Sequence, residues 1–215
     1  MKKTILTLLL LSTSLTFAMD KVPMDANDVT PVLTGSTIPS FTAKTPDNTA
    51  VNFNAESIEK PMILTFYRGG WCPYCNKHLA EMRDTEEKLI KMGFDVVFMS
   101  PDKPQRLQES LDAQTEEVNY KLLSDADMAI SRAFGIAFQL DQPTVKKYKD
   151  WGLDLQEASG FDHYQLPAPA TFLVGTDGRI HFQYVNPDYK VRVGPKVLLA
   201  AAEDYQERAA KKGKK

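Results

Sequence analysis

Between Phe41 and Phe53 apolar and polar residues alternate around Pro46-Asp47-Asn48, the pattern of two strands joined by a tight turn. Met62-Ile63-Leu64-Thr65-Phe66-Tyr67 is instead almost continuously apolar and is bounded by Pro61 and Gly69-Gly70, as suits a central strand covered on both faces. From Pro73 to Met92 the period becomes helical: Leu79, Met82, Leu89 and Met92 recur, and Gly93 supplies the stop. Phe94 to Met99 is the next strand, and Pro104 to Val118 reads as an amphipathic helix around Leu107 and Leu111. A short strand at Tyr120 to Leu123 and a helix from Asp127 to Phe134 continue the alternation.

Strand and helix in regular alternation predict an α/β domain with parallel strands and right-handed crossovers. Residues 139 to 166 break the rhythm with a basic, aromatic stretch, Lys146, Lys147, Tyr148, Lys149 and Trp151, read as a mostly helical insertion. Thr171 to Val174 and Ile180 to Val185 flank Gly175-Thr176-Asp177-Gly178, a strong hairpin signal. Pro195 to Ala210 closes the domain as a helix with proline in its first turn.

The N-terminus changes the picture of where the domain works. Lys2 and Lys3 precede an apolar run from Ile5 to Leu11, followed by Ser/Thr-rich sequence and Ala18, the pattern of a secretory signal. The expected organisation is therefore a signal peptide at 1–18, a flexible leader at 19–35, the domain at 36–210 and a basic tail at 211–215, with a periplasmic mature protein starting at Met19. No stretch reaches the roughly 20 apolar residues of a membrane span. Losing Lys2 and Lys3 takes the net charge from −2 to −4, which argues against nucleic acid as the main partner.

Only two cysteines occur, Cys72 and Cys75, within Trp71-Cys72-Pro73-Tyr74-Cys75 at the predicted strand-to-helix junction. A thiol just before a helix meets unpaired N–H groups and the positive end of the helix dipole, which favour its thiolate. Cys75 follows on the first turn, close enough to resolve a mixed disulfide formed by Cys72, and Pro73 suits the first helical position because its missing N–H would be orphaned there. Two cysteines cannot complete a tetrahedral metal site, and no second Cys or His pair has finger spacing, so no metal and no cofactor are expected. Trp71 and Tyr74 flank the thiols as an apolar rim for a partner.

From about residue 36 to 205 the chain resembles the thioredoxin-fold redoxins, the superfamily that includes thioredoxins and the alkyl hydroperoxide reductase/thiol-specific antioxidant peroxiredoxins. The matching pieces are Phe66 to Cys75, Pro167-Ala168-Pro169-Ala170-Thr171-Phe172-Leu173 and Asp177-Gly178-Arg179-Ile180. The resemblance implies a central mixed sheet flanked by helices, with an N-terminal hairpin extension and a helical insertion before a cis-proline strand. It also implies that the backbone at Ala168-Pro169 faces the cysteines and pairs with substrate. The Pro-Tyr dipeptide is similar to that of glutaredoxins, implying a potential between about −230 and −120 mV.

Two chemistries follow from the resemblance. In thiol-disulfide exchange, Cys72 attacks and Cys75 resolves. In the peroxiredoxin pattern, aligned on Phe66-Tyr67, the peroxidatic position falls on Cys75, the threonine position holds Cys72, the proline position holds Arg68, and Pro169 stands where a later arginine is expected. Arg68 then supplies the positive charge near the thiolate. A third resemblance, to copper-handling Sco proteins, pairs the cysteines with His163, and His78 lies one turn beyond Cys75. The partners implied are protein or small-molecule thiols and disulfides, peroxides, and a redox protein that recharges the pair.

Overall fold

The computed structural model describes residues 22–114 and 118–212; residues 1–21, which include the expected signal peptide, 115–117 and 213–215 lie outside them. Nine strands and six α-helices occur in the described part. A seven-stranded mixed sheet runs in the order β2-β1-β5-β4-β3-β8-β9. Its strands are β1 (Phe41–Lys44), β2 (Ala50–Phe53), β3 (Met62–Phe66), β4 (Asp95–Ser100), β5 (Lys121–Ser124), β8 (Ala170–Val174) and β9 (Ile180–Val185). β3 is parallel to β4 with Leu64 opposite Val97, and antiparallel to β8 with Leu64 opposite Phe172. All five β3 residues are buried, which is why that run lacks polar alternation.

Successive β3 residues serve opposite faces. Met62, Leu64 and Phe66 join Phe41, Phe134 and Phe172 in one core; Ile63 and Tyr67 join Phe98, Leu89, Leu198 and both cysteines in the other. Helices α1 (Pro73–Lys91) and α6 (Pro195–Lys212) cover the second face, and α2 (Pro104–Asp112) follows β4. α3 (Ala129–Ala133) carries Ile130 onto the first face.

Several expectations are corrected. The helix expected to run to Val118 ends at Asp112, where Ala113 caps it. The segment 139–166 does form helices, α4 (Gln142–Asp150) and α5 (Leu155–Ser159), but its flanks pair as a small sheet of β6 (Ala137–Gln139) and β7 (Gln165–Pro167). Residues 22–35, expected to be a loose leader, are tied to the domain: the Gln139 N–H bonds the Pro23 carbonyl at 2.7 Å, Val32 N–H bonds Phe134 at 3.1 Å, and Gly35 N–H bonds Ile180 at 2.7 Å. No cis peptide bond occurs among the described residues, so Ala168–Pro169 is trans.

Candidate redox site

β3 delivers the chain to the site: beyond Phe66, the Tyr67 N–H still bonds the Met99 carbonyl at 3.0 Å, and Arg68 to Trp71 then turn the chain into α1. Gly69 has φ +132°, and a Cβ there would lie 2.2 Å from Trp71 Nε1, so only glycine lets the indole fold back over the turn. Cys72 is the N-cap of α1, Pro73 fills the first helical position, and the N–H groups of Cys75 and Asn76 both bond the Cys72 carbonyl, at 3.0 and 3.1 Å. Both sulfurs are thereby carried on one rigid turn. The cysteines are free thiols, 2% and 1% exposed.

The two sulfurs are electrostatically unequal. The Cys75 thiol lying against it, and then the Cys75 backbone, Arg68 and Arg192, bring Cys72 down to about 6 against the opposing effect of burial. Cys75 is pushed up, first by the neighbouring Cys72 sulfur and then by burial. At neutral pH the pair therefore shares one proton between its two sulfurs, with the negative charge favoured on Cys72.

Arg68 and Trp71, singled out in the sequence, meet beside this turn. Arg68 is 97% buried: its guanidinium donates to the Tyr148 hydroxyl at 2.7 Å and lies 4.4 Å from the Tyr189 ring centroid and 5.8 Å from that of Trp71. Such a stack stabilises a cation by about 0.5–2 kcal/mol. Tyr74 is 44% exposed and meets Tyr189 edge-on at 5.6 Å, so it contributes to a surface rim, whereas Trp71 is half-buried against Tyr148.

At Ala168 and Pro169, expected to pair with substrate, backbone groups are already bonded within the protein. Ala168 is fully buried, its N–H bonds Ile136 at 2.8 Å, and the Pro169 carbonyl accepts the Asn186 N–H at 3.1 Å, so both groups are paired within the protein. Pro169 instead lines a cleft of about 280 Å³ with Arg68, Tyr148 and Tyr189.

His163 is not placed as a copper ligand. Its Nε2 lies 2.8 Å from the Ala126 carbonyl and its Nδ1 accepts the Gln165 N–H at 2.9 Å, so both ring nitrogens are engaged by backbone. Among the described residues no three His, Cys, Asp or Glu side chains cluster. His78 is buried, and burial together with Arg192 pushes it down to about 4, leaving it neutral.

The residue that the sequence did not reveal is Arg192. It lies in the loop between β9 and α6, 117 residues from Cys75, and its Nη2 donates to the Cys75 sulfur at 3.3 Å. Its Nη1 is held by the carbonyls of Tyr189 and Val191. A cation thus reaches the pair from the far end of the chain, although Pro169 stands where one was expected. Its only signal in the sequence is an arginine in an irregular, aromatic loop, Tyr189-Lys190-Val191-Arg192.

The AhpC/TSA family model matches residues 34–183.

The chain belongs to the AhpC/TSA family.

Peroxiredoxin Bcp of Escherichia coli K12 is 28% identical over 169 residues, which cover 79% of this chain and 94% of that protein. A putative peroxiredoxin of Mycobacterium tuberculosis is 34% identical over 101 residues, 47% of this chain and 62% of that protein. Among solved structures, peroxidoxin BcpB of Mycobacterium tuberculosis superposes with a TM-score of 0.58 at 19% identity, over 80% of this chain and 96% of that one. Thiol peroxidase from Chromobacterium violaceum gives 0.65 at 13% identity, over 88% and 95%. These likenesses show the thioredoxin-type fold of the family, with a mixed sheet between helices.

Proposed function

We propose that this AhpC/TSA protein is a thiol-dependent peroxidase that works through a Cys72–Cys75 redox pair. The observation that carries the reading is a pair of facing thiols at the start of α1, with Arg192 at one sulfur and Arg68 beside the turn. The Cys72 thiolate attacks the O–O bond of a hydroperoxide; the leaving oxygen takes a proton and departs as alcohol or water, and Cys72 becomes a sulfenic acid. The Cys75 thiol then attacks that sulfur, the hydroxyl leaves as water, and a disulfide closes. Two external thiols, or one dithiol protein, reduce the disulfide and are themselves oxidised. The same last step run in reverse, with the reduced pair reducing another disulfide and becoming oxidised itself, is the dithiol-disulfide exchange that the Cys-Pro-Tyr-Cys motif suggests.

One observation favours a second assignment of roles. The Arg192 contact is to Cys75, the position that aligns with the peroxidatic cysteine of the family, and in that version Cys75 carries the sulfenic acid and Cys72 resolves it. Hydroperoxide treatment of Cys72→Ser and Cys75→Ser, followed by sulfenic-acid trapping and mass spectrometry, separates the two. The reading expects the trapped acid on Cys72 in the Cys75→Ser variant and loss of peroxide turnover in Cys72→Ser. Full turnover in Cys72→Ser overturns it.

The signal pattern of residues 1–18 supports export, which puts the pair in an oxidising compartment and makes a dedicated reductant necessary. N-terminal sequencing of protein secreted by its native host checks this: a start at Met19 agrees, and a start at Met1 in the soluble fraction does not.

A further inference from the structure

The turn that presents Cys72 is held on both sides of a single residue, Gly70. The Gly70 N–H donates to Asp102 Oδ2 at 2.8 Å, and the Gly70 carbonyl accepts from Asn76 Nδ2, also at 2.8 Å. Asn76 stands next to Cys75 on α1, whereas Asp102 comes from just beyond β4, so the clamp ties the turn to both the helix and the sheet.

Asp102 itself is rigidly mounted. Its own N–H bonds Ser100 Oγ at 3.1 Å, its carbonyl accepts the Ser124 hydroxyl at 2.7 Å, and the next residue's N–H bonds the Ala158 carbonyl of α5 at 2.9 Å. The carboxyl group is 98% buried, with the Ser100 and Trp71 side chains and the Arg106 charge also acting on it, and its second oxygen, Oδ1, lacks a hydrogen bond of ordinary geometry. A buried carboxylate left half-satisfied costs stability, so a fold that keeps one obtains something other than stability from it. It bonds the residue two positions before the reactive thiol. An apolar side chain there would fill the same space and leave the Gly70 N–H unpaired.

We propose that Asp102 is a positioning residue for the redox pair. Through Gly70, with Asn76 on the other side of the same residue, it fixes the turn that sets Cys72 at the helix N-terminus and keeps the pair closed to bulky attackers. This rests on the reading of Cys72 as the reactive thiolate.

The test measures two properties of the reduced enzyme that need no peroxide turnover. One is the midpoint of Cys72 alkylation against pH; the other is the ratio of its rate with a bulky maleimide conjugate to its rate with iodoacetamide. Asp102→Leu is expected to raise the midpoint by about half to one pH unit, the size of a helix-end interaction with a charge, and to raise the ratio about fivefold. Asp102→Asn, which keeps an acceptor for Gly70, is expected to restore most of both. The direction is diagnostic: a carboxylate acting only through its negative charge would, on removal, lower the midpoint.

A folded Asp102→Leu protein with midpoint and ratio unchanged, or with a lowered midpoint, overturns the proposal. Where Asp102→Leu does not fold, Asn76→Ala decides, because Asn76 is exposed: the same two shifts at smaller size support the clamp, and no shift in either rejects it. A wild-type midpoint near that of an ordinary thiol would instead reject the assignment of Cys72, whatever the variants do.

Discussion

On one face of the sheet Phe41, Phe66, Phe134 and Phe172 interlock with ring centroids 5.1–6.0 Å apart; on the other, α1 and α6 close over a core that includes two thiols and borders His78, Glu86 and Arg192. The aromatic face also has a buried carboxylate, Asp125 ahead of α3, but both its oxygens accept backbone N–H groups, from Ile130 at 2.9 Å and Ser131 at 2.7 Å. Buried side-chain polar atoms without a hydrogen-bond partner gather instead on the side of the cysteines, at Arg68 Nε, His78 Nε2, Asp102 Oδ1 and Arg192 Nε, with Glu86 Oε1 further along α1, against Gln183 Oε1 of β9 on the aromatic face. One face stabilises the fold, and the other tolerates unsatisfied polar groups to set the chemistry of two sulfurs.

The largest effect that would sharpen this contrast is on the aromatic face. Phe172→Ala removes a fully buried ring that meets both Phe66 and Phe134 and is expected to cost about 3–5 kcal/mol in denaturant unfolding. The relative reactivity of the two thiols should not change; a redistribution of labelling between them would show that the faces are not separable.

Arg192→Met should do the reverse. Arg192 favours the thiolate form of both cysteines, so its loss moves the Cys72 titration upward from about 6 and slows alkylation near pH 6 by roughly two- to threefold, with unfolding free energy altered by about 1 kcal/mol or less. An unmoved titration curve would remove the cation from the site.

Glu86 gives the most sign-specific test. Burial raises it from the ordinary range to about 7, so its proton is held more tightly in the folded state. Below pH 4.5 the folded and unfolded states both carry that proton; as pH rises to 7 the folded protein loses stability relative to a neutral isostere. Glu86→Gln is therefore expected to stabilise by about 1–3 kcal/mol above pH 7 and to have little effect at pH 4, measured by thermal unfolding at both. The Cys72 thiol has the opposite sign: with its folded value depressed, its contribution is full above the ordinary thiol range and is lost as pH falls through about 6. A Glu86→Gln variant no more stable at pH 8 than at pH 4 would deny that this face carries an uncompensated group.

What was legible in the sequence is what local pattern encodes. The apolar run of β3 and the helical period of α1 place both cysteines at their junction, and the Asp-Gly turn places β8 and β9 within a residue of their observed bounds. Arg192 was not legible, because its meeting with Cys75 depends on how the loop after β9 returns across the sheet, and no period marks that. The β6–β7 pairing was lost for a related reason: three-residue strands carry too little alternation to stand out beside the helical α4. The trans geometry at Pro169 and the anchoring of residues 22–35 depend on backbone partners, Asn186 for the one and Gln139, Phe134 and Ile180 for the other, that no single stretch announces.

The central claim is that the two sulfurs are unequal and that Cys72 is the reactive one. Reduced wild-type protein at pH 7, given less than one equivalent of iodoacetamide and digested for peptide mass analysis, tests it directly. The account predicts label on Cys72 in excess of Cys75 by about tenfold or more. Equal labelling, or label on Cys75 first, would contradict it.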